Sequence, residues 1–165
     1  MLTKNFYSYM RAALQKTSAT FTLWSGSTNA VSYASSNSIV PFEALKTWAN
    51  TASSYGVSFG TGTTPAAASD YCLESILGST QISVSVPSAV SYSRGDTFDE
   101  YSVSFGVTNI TDEAITISEV GLIATPSSSN YVLVDRTLLD VPVTIPAHET
   151  KHIAYTIRFN YGDAV

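Results

Sequence analysis

The sequence predicts an all-β protein: an antiparallel β-sandwich, immunoglobulin-like or jelly-roll-like, with a partly helical N-terminal arm. Three observations carry this. From Tyr55 onward, apolar residues alternate with Ser, Thr and Gly in several short runs, the period of strands that bury one face. Clusters of turn-forming residues separate those runs. No helical pattern in that region is long enough for the crossovers of a parallel sheet.

The alternation can be followed strand by strand. Tyr55, Val57 and Phe59 alternate with Gly56, Ser58 and Gly60, and Ile82, Val84 and Val86 alternate with serines. Tyr101, Val103, Phe105 and Val107 alternate with Ser, Ser and Gly. Ile153, Tyr155, Ile157, Phe159 and Tyr161 alternate with Ala, Thr, Arg and Asn. Turn chemistry lies between them: GTGTTP at 60–65, SRGD at 93–96, TNITDE at 108–113, TPSSSN at 125–130 and IPAHET at 145–150. One break in parity is informative. Ile115 and Ile117 share a face, whereas Val120, Leu122 and Ala124 have the other parity. A bulge near Ser118 and Glu119 restores the pattern. Without a bulge, Glu119 points inward and needs a partner, for which Arg136 in YVLVDRTLL is the natural candidate. A structural Glu119–Arg136 pair is therefore expected.

The first 54 residues follow a different grammar. Phe6, Tyr7, Met10, Ala13 and Leu14 recur at helical spacing, which predicts a short amphipathic helix ending near Lys16. A strand over Phe21 to Trp24 follows. Pro41 then opens PFEALKTWAN, where a first-turn proline with Glu43 behind it suits a second short helix. Residues 1–54 read as an arm that docks on a partner or on the sandwich of residues 55–165. Its candidate docking residues are Phe6, Tyr7, Met10, Leu14, Phe42, Leu45 and Trp48.

Composition narrows the function classes. Charged residues are 13% of the 165, about half the usual share, so the surface is largely hydroxylic and neighbouring copies repel little. The net charge is −5 and the eight Lys and Arg are scattered. That argues against nucleic-acid binding, which needs clustered cations on phosphates. Cys72 is the single cysteine, so there is no intrachain disulfide framework, and a small core residue is its plain reading. No leader is visible and no run approaches the ~20 apolar residues of a membrane span. Synthesis and folding in a cytosol, with no membrane partner, are expected. Asn109-Ile110-Thr111 spells a glycosylation sequon, read as accidental without a secretory route.

His148-Glu149-Thr150-Lys151-His152 spells H-E-x-x-H. That zinc signature works on a helix, which puts both imidazoles on one face with the Glu beside the metal-bound water. Here Pro146 and Ala147 precede it and IAYTIRF follows with strict alternation. On a strand the two histidines stand ~13 Å apart at ~3.3 Å per residue, too far to share a metal. The stretch therefore reads as a turn entering a strand, and no catalytic, cofactor or metal site is assigned. GTGTTP lacks the Lys-Ser/Thr of a phosphate loop, and no G-x-S-x-G elbow exists. The acids Asp96, Asp99, Glu100, Asp112 and Glu113 read as solvated turns rather than calcium ligands. The ten tyrosines read as core or interface, with a sugar-stacking platform as the alternative.

The C-terminal half also resembles small virion structural proteins of tailed bacteriophages. ISEVGLIAT (117–125), a serine/asparagine loop, then YVLVDRTLLDVPVTIPAHETKHIAYTIRFNY carry that resemblance, and GTGTTPAAASDYCLES (60–75) is similar to a segment seen in the same setting. It covers roughly Tyr55 to Tyr161 and leaves the first 54 residues uncovered. The resemblance implies a non-enzymatic component of head, neck, tail or fibre, located on the virion. Its partners would be other virion proteins and copies of itself. The alternative is a carbohydrate-binding sandwich on the virion surface, with a host surface glycan as ligand.

Overall fold

The structure, a computed structural model of the chain, describes residues 1–15, 19–31, 44–51, 53–87, 89–127 and 130–160. One helix, α1 (Lys4–Gln15), precedes a short hairpin of β1 (Ala19–Thr22) and β2 (Thr28–Val31). Seven further strands follow: β3 (Gly56–Gly60), β4 (Ile82–Ser85), β5 (Ser91–Arg94), β6 (Phe98–Asn109), β7 (Ile115–Ser127), β8 (Asn130–Ile145) and β9 (Thr150–Asn160). The fold is all-β and sandwich-like. The first sheet has the order β3-β7-β8. In the second, β9 runs along one side of β6, while β4 and β5 follow one another along the other side. Every strand pair is antiparallel.

The alternating residues meet between the sheets. Val103, Phe105 and Val107 of β6 and Ile153, Tyr155 and Ile157 of β9 share one core with Val57, Phe59, Ile117, Val120, Leu122, Val132 and Val134. Phe59 and Phe105 meet edge to face across the layers, with ring centroids 5.7 Å apart. The expected strand through Val86 stops at Ser85, and Val86 is exposed. Pro87 follows, has no N–H for the ladder, and the chain leaves the side of β6 there. Tyr161 lies outside the described residues.

The first sheet is buried on both faces along β3, Ser118–Ala124 of β7 and Val132–Arg136 of β8, which plain alternation does not anticipate, whereas Thr116, Val141 and Thr144 at its other end are exposed. All five residues of β3 are buried. On the far face Ile123 and Leu133 pack with Ala49, Trp24 and Tyr131. The register of β7 against β8 slips between Ile117 and Glu119, so a bulge is present at Ser118. Bulge and buried Glu119, posed as alternatives by the parity break, occur together. The bulge turns Glu119 to the far face, and that face is itself covered.

Residues of the N-terminal segment close the edges of the first sheet. Leu2 bridges Asp135 on the outer side of β8, and Thr3 donates from its N–H to Val134 O at 3.0 Å and from its hydroxyl to Leu133 O at 2.6 Å. Trp48 forms a parallel bridge to Val57 of β3, with Val57 N–H on Thr47 O and Ala49 N–H on Val57 O, both at 2.9 Å. Farther along β3, Leu77 N–H donates to Phe59 O and Thr61 N–H to Ser75 O. Asn5 ties α1 to the hairpin, donating to Thr22 O at 2.7 Å and accepting from Thr22 N–H at 2.9 Å. Of the expected second helix, only the end falls within the described residues, as a turn at Ala44 to Thr47 closed by Thr47 N–H on Ala44 O.

Phe6, Phe21, Ala44 and Leu45 are part of the common core, and both edges of the first sheet depend on residues 1–49. Deletion of residues 1–50 is therefore expected to leave a chain with no cooperative thermal transition and with dye-binding apolar surface. Leu45→Ala, in a position with no solvent exposure, should cost about 2–5 kcal/mol in a denaturant titration.

Candidate functional site: an arginine–carboxylate hub and an open strand

The densest polar cluster lies on the far face of the first sheet. Gly60 stands opposite Glu119, and Gly121 opposite Arg136. These glycines, with Gly62, leave the room that Glu119, Arg136 and the loop above them occupy. A Cβ on Gly60 or Gly62 would lie 2.6 or 2.5 Å from Glu119 Oε1, and one on Gly121 would lie 2.8 Å from Leu73 Cδ2. Leu73 is buried and fills the dimple over Gly121, seating the 61–75 loop on the sheet.

Glu119 is fully buried and fully engaged. Oε1 accepts from the N–H of Gly62 (3.1 Å) and Ser75 (2.8 Å), and Oε2 accepts from Glu74 N–H (3.2 Å) and Arg136 Nε (2.7 Å). Arg136 distributes its other donors to Asp70 Oδ2 at 2.8 Å and Thr64 O at 3.1 Å, with Glu74 Oε2 3.6 Å from Nη2. Glu74 in turn accepts from the N–H groups of Thr63 and Thr64, each at 2.9 Å, and the Thr64 contacts pull its carboxyl below the usual value. Burial pushes the Arg136 pKa down, but the hydrogen bonds to Asp70 and Glu119 outweigh it and hold the guanidinium above its ordinary value. The cluster thus staples the loop to the sheet through one permanently charged cation. A buried carboxylate with both oxygens doubly engaged, bonded to a guanidinium that donates from all three of its nitrogens, holds geometry well.

Beside it opens a cleft of about 320 Å³ lined by Tyr71, Cys72, Asp70, Glu74, Ser69 and Arg136. Cys72 is half-buried rather than a core residue, and burial pushes its thiol up against the opposing pull of Arg136. The thiolate, the reactive form, is thereby disfavoured.

A second buried network joins β9 to β8. Tyr155 donates its hydroxyl to Asp135 Oδ2 at 2.8 Å, Thr137 donates to the same oxygen at 3.1 Å, and the Met1 ammonium sits 2.9 Å from Oδ1. Burial and then the Asp135 charge raise the Tyr155 pKa well above 10.0.

His148 occupies a turn closed by Glu149 N–H on Pro146 O, with φ +60° at His148 itself. Its Nε2 lies 3.1 Å from Asp112 Oδ1. His152 stands in β9 opposite Gly106. The two histidines therefore sit in a turn and in a strand, and the helical geometry a shared zinc requires is not formed. Among the described residues, no three His, Cys, Asp or Glu side chains gather where a metal could be held. Of the acids expected in solvated turns, Asp99 and Glu100 lie instead within β6, Asp99 bonded to Tyr92 and Arg94 and Glu100 to Arg158. Asn109 of the sequon is fully buried, with its amide N–H groups on the carbonyls of Glu113, Ile145 and Pro146. It is a loop lock in the folded chain.

The docking candidates divide. Phe6 is buried and stacked on Phe159, Leu45 is buried, and Trp48 packs on the core, whereas Tyr7 and Met10 face outward at 61% and 38% exposure. The Leu14 side chain and Phe42 lie outside the described residues. Sequence reasoning missed Asp70, Glu74 and Asp135 as partners, since nothing in their local pattern reports which strand they meet. β9 pairs with β6, and its outer-face residues Thr150, His152, Ala154, Thr156 and Arg158 are exposed.

No known family's sequence profile matches the chain, and comparisons with curated proteins and with solved structures likewise find no match.

Glu119→Gln should destabilise the fold by about 1–3 kcal/mol, because it removes the buried negative charge on Arg136 Nε and sets an amide N–H among the N–H donors of the loop; urea titration measures this, and an unchanged midpoint would contradict the stapling role. Tyr155→Phe tests the second network across pH. The folded phenol holds its proton more tightly than the unfolded one, so its contribution is intact below pH 10.0 and is lost as pH rises past that value. The variant should lose about 1–3 kcal/mol at neutral pH and show a flatter decline of stability above pH 10.0 than the parent. Replacing His148 with Gly should relieve the positive φ and raise stability by about 0.5–1 kcal/mol.

Proposed function

We propose that this chain is a non-enzymatic structural component of a tailed-phage virion, a capsid-decoration, neck, or tail- or fibre-attachment subunit that acts through protein–protein contacts. Its partners are other virion proteins and copies of itself, and it is made in the host bacterial cytoplasm. The observation that carries this reading is the contrast between the two sheets. The first sheet has both faces covered by the chain's own residues along β3 and the adjoining stretches of β7 and β8, while the second offers a face of small hydroxyl residues. Ser83, Ser85, Ser91, Ser93, Ser102 and Ser104 share that face by register, alongside Thr150, Thr156 and the Glu100–Arg158 pair. A low-charge face of small hydroxyl residues suits dense packing against neighbours. The resemblance of residues 55–161 to virion proteins points the same way.

The carbohydrate-binding alternative has one supporting feature, the cleft in which 40%-exposed Tyr71 stands beside Asp70 and Glu74. Those carboxylates are committed to Arg136 and to loop amides, which leaves Tyr71 as the cleft's principal sugar-facing group and ranks this reading second.

Mass spectrometry of purified particles should find the protein at a defined copy number, with hundreds of copies indicating a capsid surface and a few indicating neck or tail. Its absence from particles would overturn the proposal. Binding on a glycan array that Tyr71→Ala abolishes would favour the alternative.

A further inference from the structure

We propose that the outer face of α1 is a docking surface for the acidic turn end of a second copy of this chain, so that copies join head to tail. This deepens the structural-subunit reading above and rests on it.

The helix has two unlike sides. Asn5 and Phe6 turn inward and are buried. Lys4, Tyr7 and Arg11 follow one another at intervals of three and four residues, the spacing of a single helix face. All three are exposed, and Met10, also exposed, flanks them. No carboxylate side chain lies in α1 or elsewhere in residues 1–42, which contain Lys4, Arg11 and Lys16. Residues 43–165 hold the other five Lys and Arg and all thirteen Asp and Glu. At the helix end of the sandwich, Asp135, Asp99 and Glu100 are each paired with a cation of their own, the Met1 ammonium, Arg94 and Arg158 respectively. Asp96 is exposed in the turn between β5 and β6. The outer face of α1 itself offers two cations, a tyrosine ring and a thioether, and no anion.

The complementary surface lies at the other end of the same molecule. Phe6 stacks on Phe159, which stands opposite Asp99 near the start of β6. Asn109, at the end of β6, donates its side-chain amide to Glu113 O and its N–H to Glu149 O. The 12 residues of β6 set these ends roughly 35 Å apart at ~3.3 Å per residue, so the helix cannot reach that turn within its own chain. Asp112, Glu113 and Glu149 are exposed there, with His148 on Asp112 and Lys151 two residues beyond Glu149. Ile110 stands in the same turn at 42% exposure. In a head-to-tail pair the carboxylates meet Lys4 and Arg11, and Ile110 meets Tyr7 and Met10. Two cations are too few for a phosphate track, and Tyr7 with Met10 is too small an apolar face to enter a lipid surface. An acidic protein surface fits both the charge and the size, and a virion subunit meets its own copies at high local density. One short helix buries less than the ~800 Å² per partner of a stable interface, so each contact is weak and gains strength by repetition. Because it joins unlike surfaces, the contact continues from copy to copy, as a ring or a filament.

Sedimentation velocity on the full chain over a wide range of concentrations tests the contact. The expected result is reversible association that grows past a dimer with concentration and weakens with added salt. Lys4→Glu with Arg11→Glu should lower the association constant about tenfold or more, and so should Asp112→Lys with Glu113→Lys and Glu149→Lys. Mixing these two reversed variants should restore association that neither shows alone. All five positions are exposed, and the milder Lys4→Gln with Arg11→Gln should act in the same direction with a smaller effect. A chain that stays monomeric, association that ends at a dimer, association that survives either reversal, or a mixture that fails to restore it would overturn the proposal. So would binding to phosphatidylserine vesicles or to duplex DNA that Lys4→Glu with Arg11→Glu abolishes. Presence of the protein in particles is measured independently. A monomeric chain found in particles leaves the virion assignment standing, and an associating chain absent from them overturns that assignment alone.

Discussion

The buried contact between Glu119 and Arg136 is the constraint around which the rest of the first sheet is arranged. Two charges taken out of water cost several kcal/mol each unless their hydrogen bonds are replaced. Glu119 recovers its own through three loop amides and the Arg136 Nε, and Arg136 through Asp70, Thr64 and Glu119. The loop from Gly60 to Ser75 must therefore lie on the sheet, because its main chain supplies the partners. Once it does, that part of the sheet has no solvated face, and apolar residues become tolerable at both parities there, as the burial of both Leu122 and Ile123 shows. Glycine at 60, 62 and 121 follows from the same contact, since a side chain at any of them would meet Glu119, Glu74 or Leu73.

This explains what could be read in advance and what could not. Strand positions were legible wherever one face alone is buried. The alternation of β6 and β9 maps directly onto the core, and their face opposite the core is the Ser/Thr face the pattern implies. The all-β class and antiparallel pairing follow from the same signal. The alternation fails for β3, because Ser58 and Gly60 are as buried as Val57 and Phe59, and nothing local to GVSFG announces a covering layer. The Glu119–Arg136 contact was legible because an ionised residue at an awkward parity must find an opposite charge. Asp70 and Glu74 were not, because their side chains look like those of any solvated loop. The H-E-x-x-H letters were correctly read through their backbone: a turn with positive φ at His148 followed by a strand.

The role of the first 50 residues changes most between pattern and structure. Amphipathic spacing marks Phe6 as half of an apolar stripe without saying what covers it. In the fold Phe6 stacks on Phe159, which in turn meets Tyr101 edge to face, so the helix seals the open end of the second sheet. The outward residues of the same helix, Tyr7 and Met10, are left as surface. A segment that looked separable by composition is a structural component of the sandwich, because it satisfies the main-chain groups of β3 and β8 that would otherwise face water at a sheet edge.

The arrangement leaves one asymmetry without an internal reason. A chain that closes both edges of one sheet with short segments, a register break and a proline has the means to close the edges of the other. Along β4 and β5 it does so by shortness and interruption, at no cost to the core. β9 is as exposed as those strands, lies beside the same hydroxyl face, and runs straight through its whole length. Its inward side chains Ile153, Tyr155 and Ile157 require a regular strand. A single inserted residue on the outer side, or a proline at a non-pairing position, would blunt that side while leaving the core contacts in place. In a low-charge protein, where repulsion between molecules is weak, a regular strand beside a hydroxyl face sets little against the approach of a neighbour.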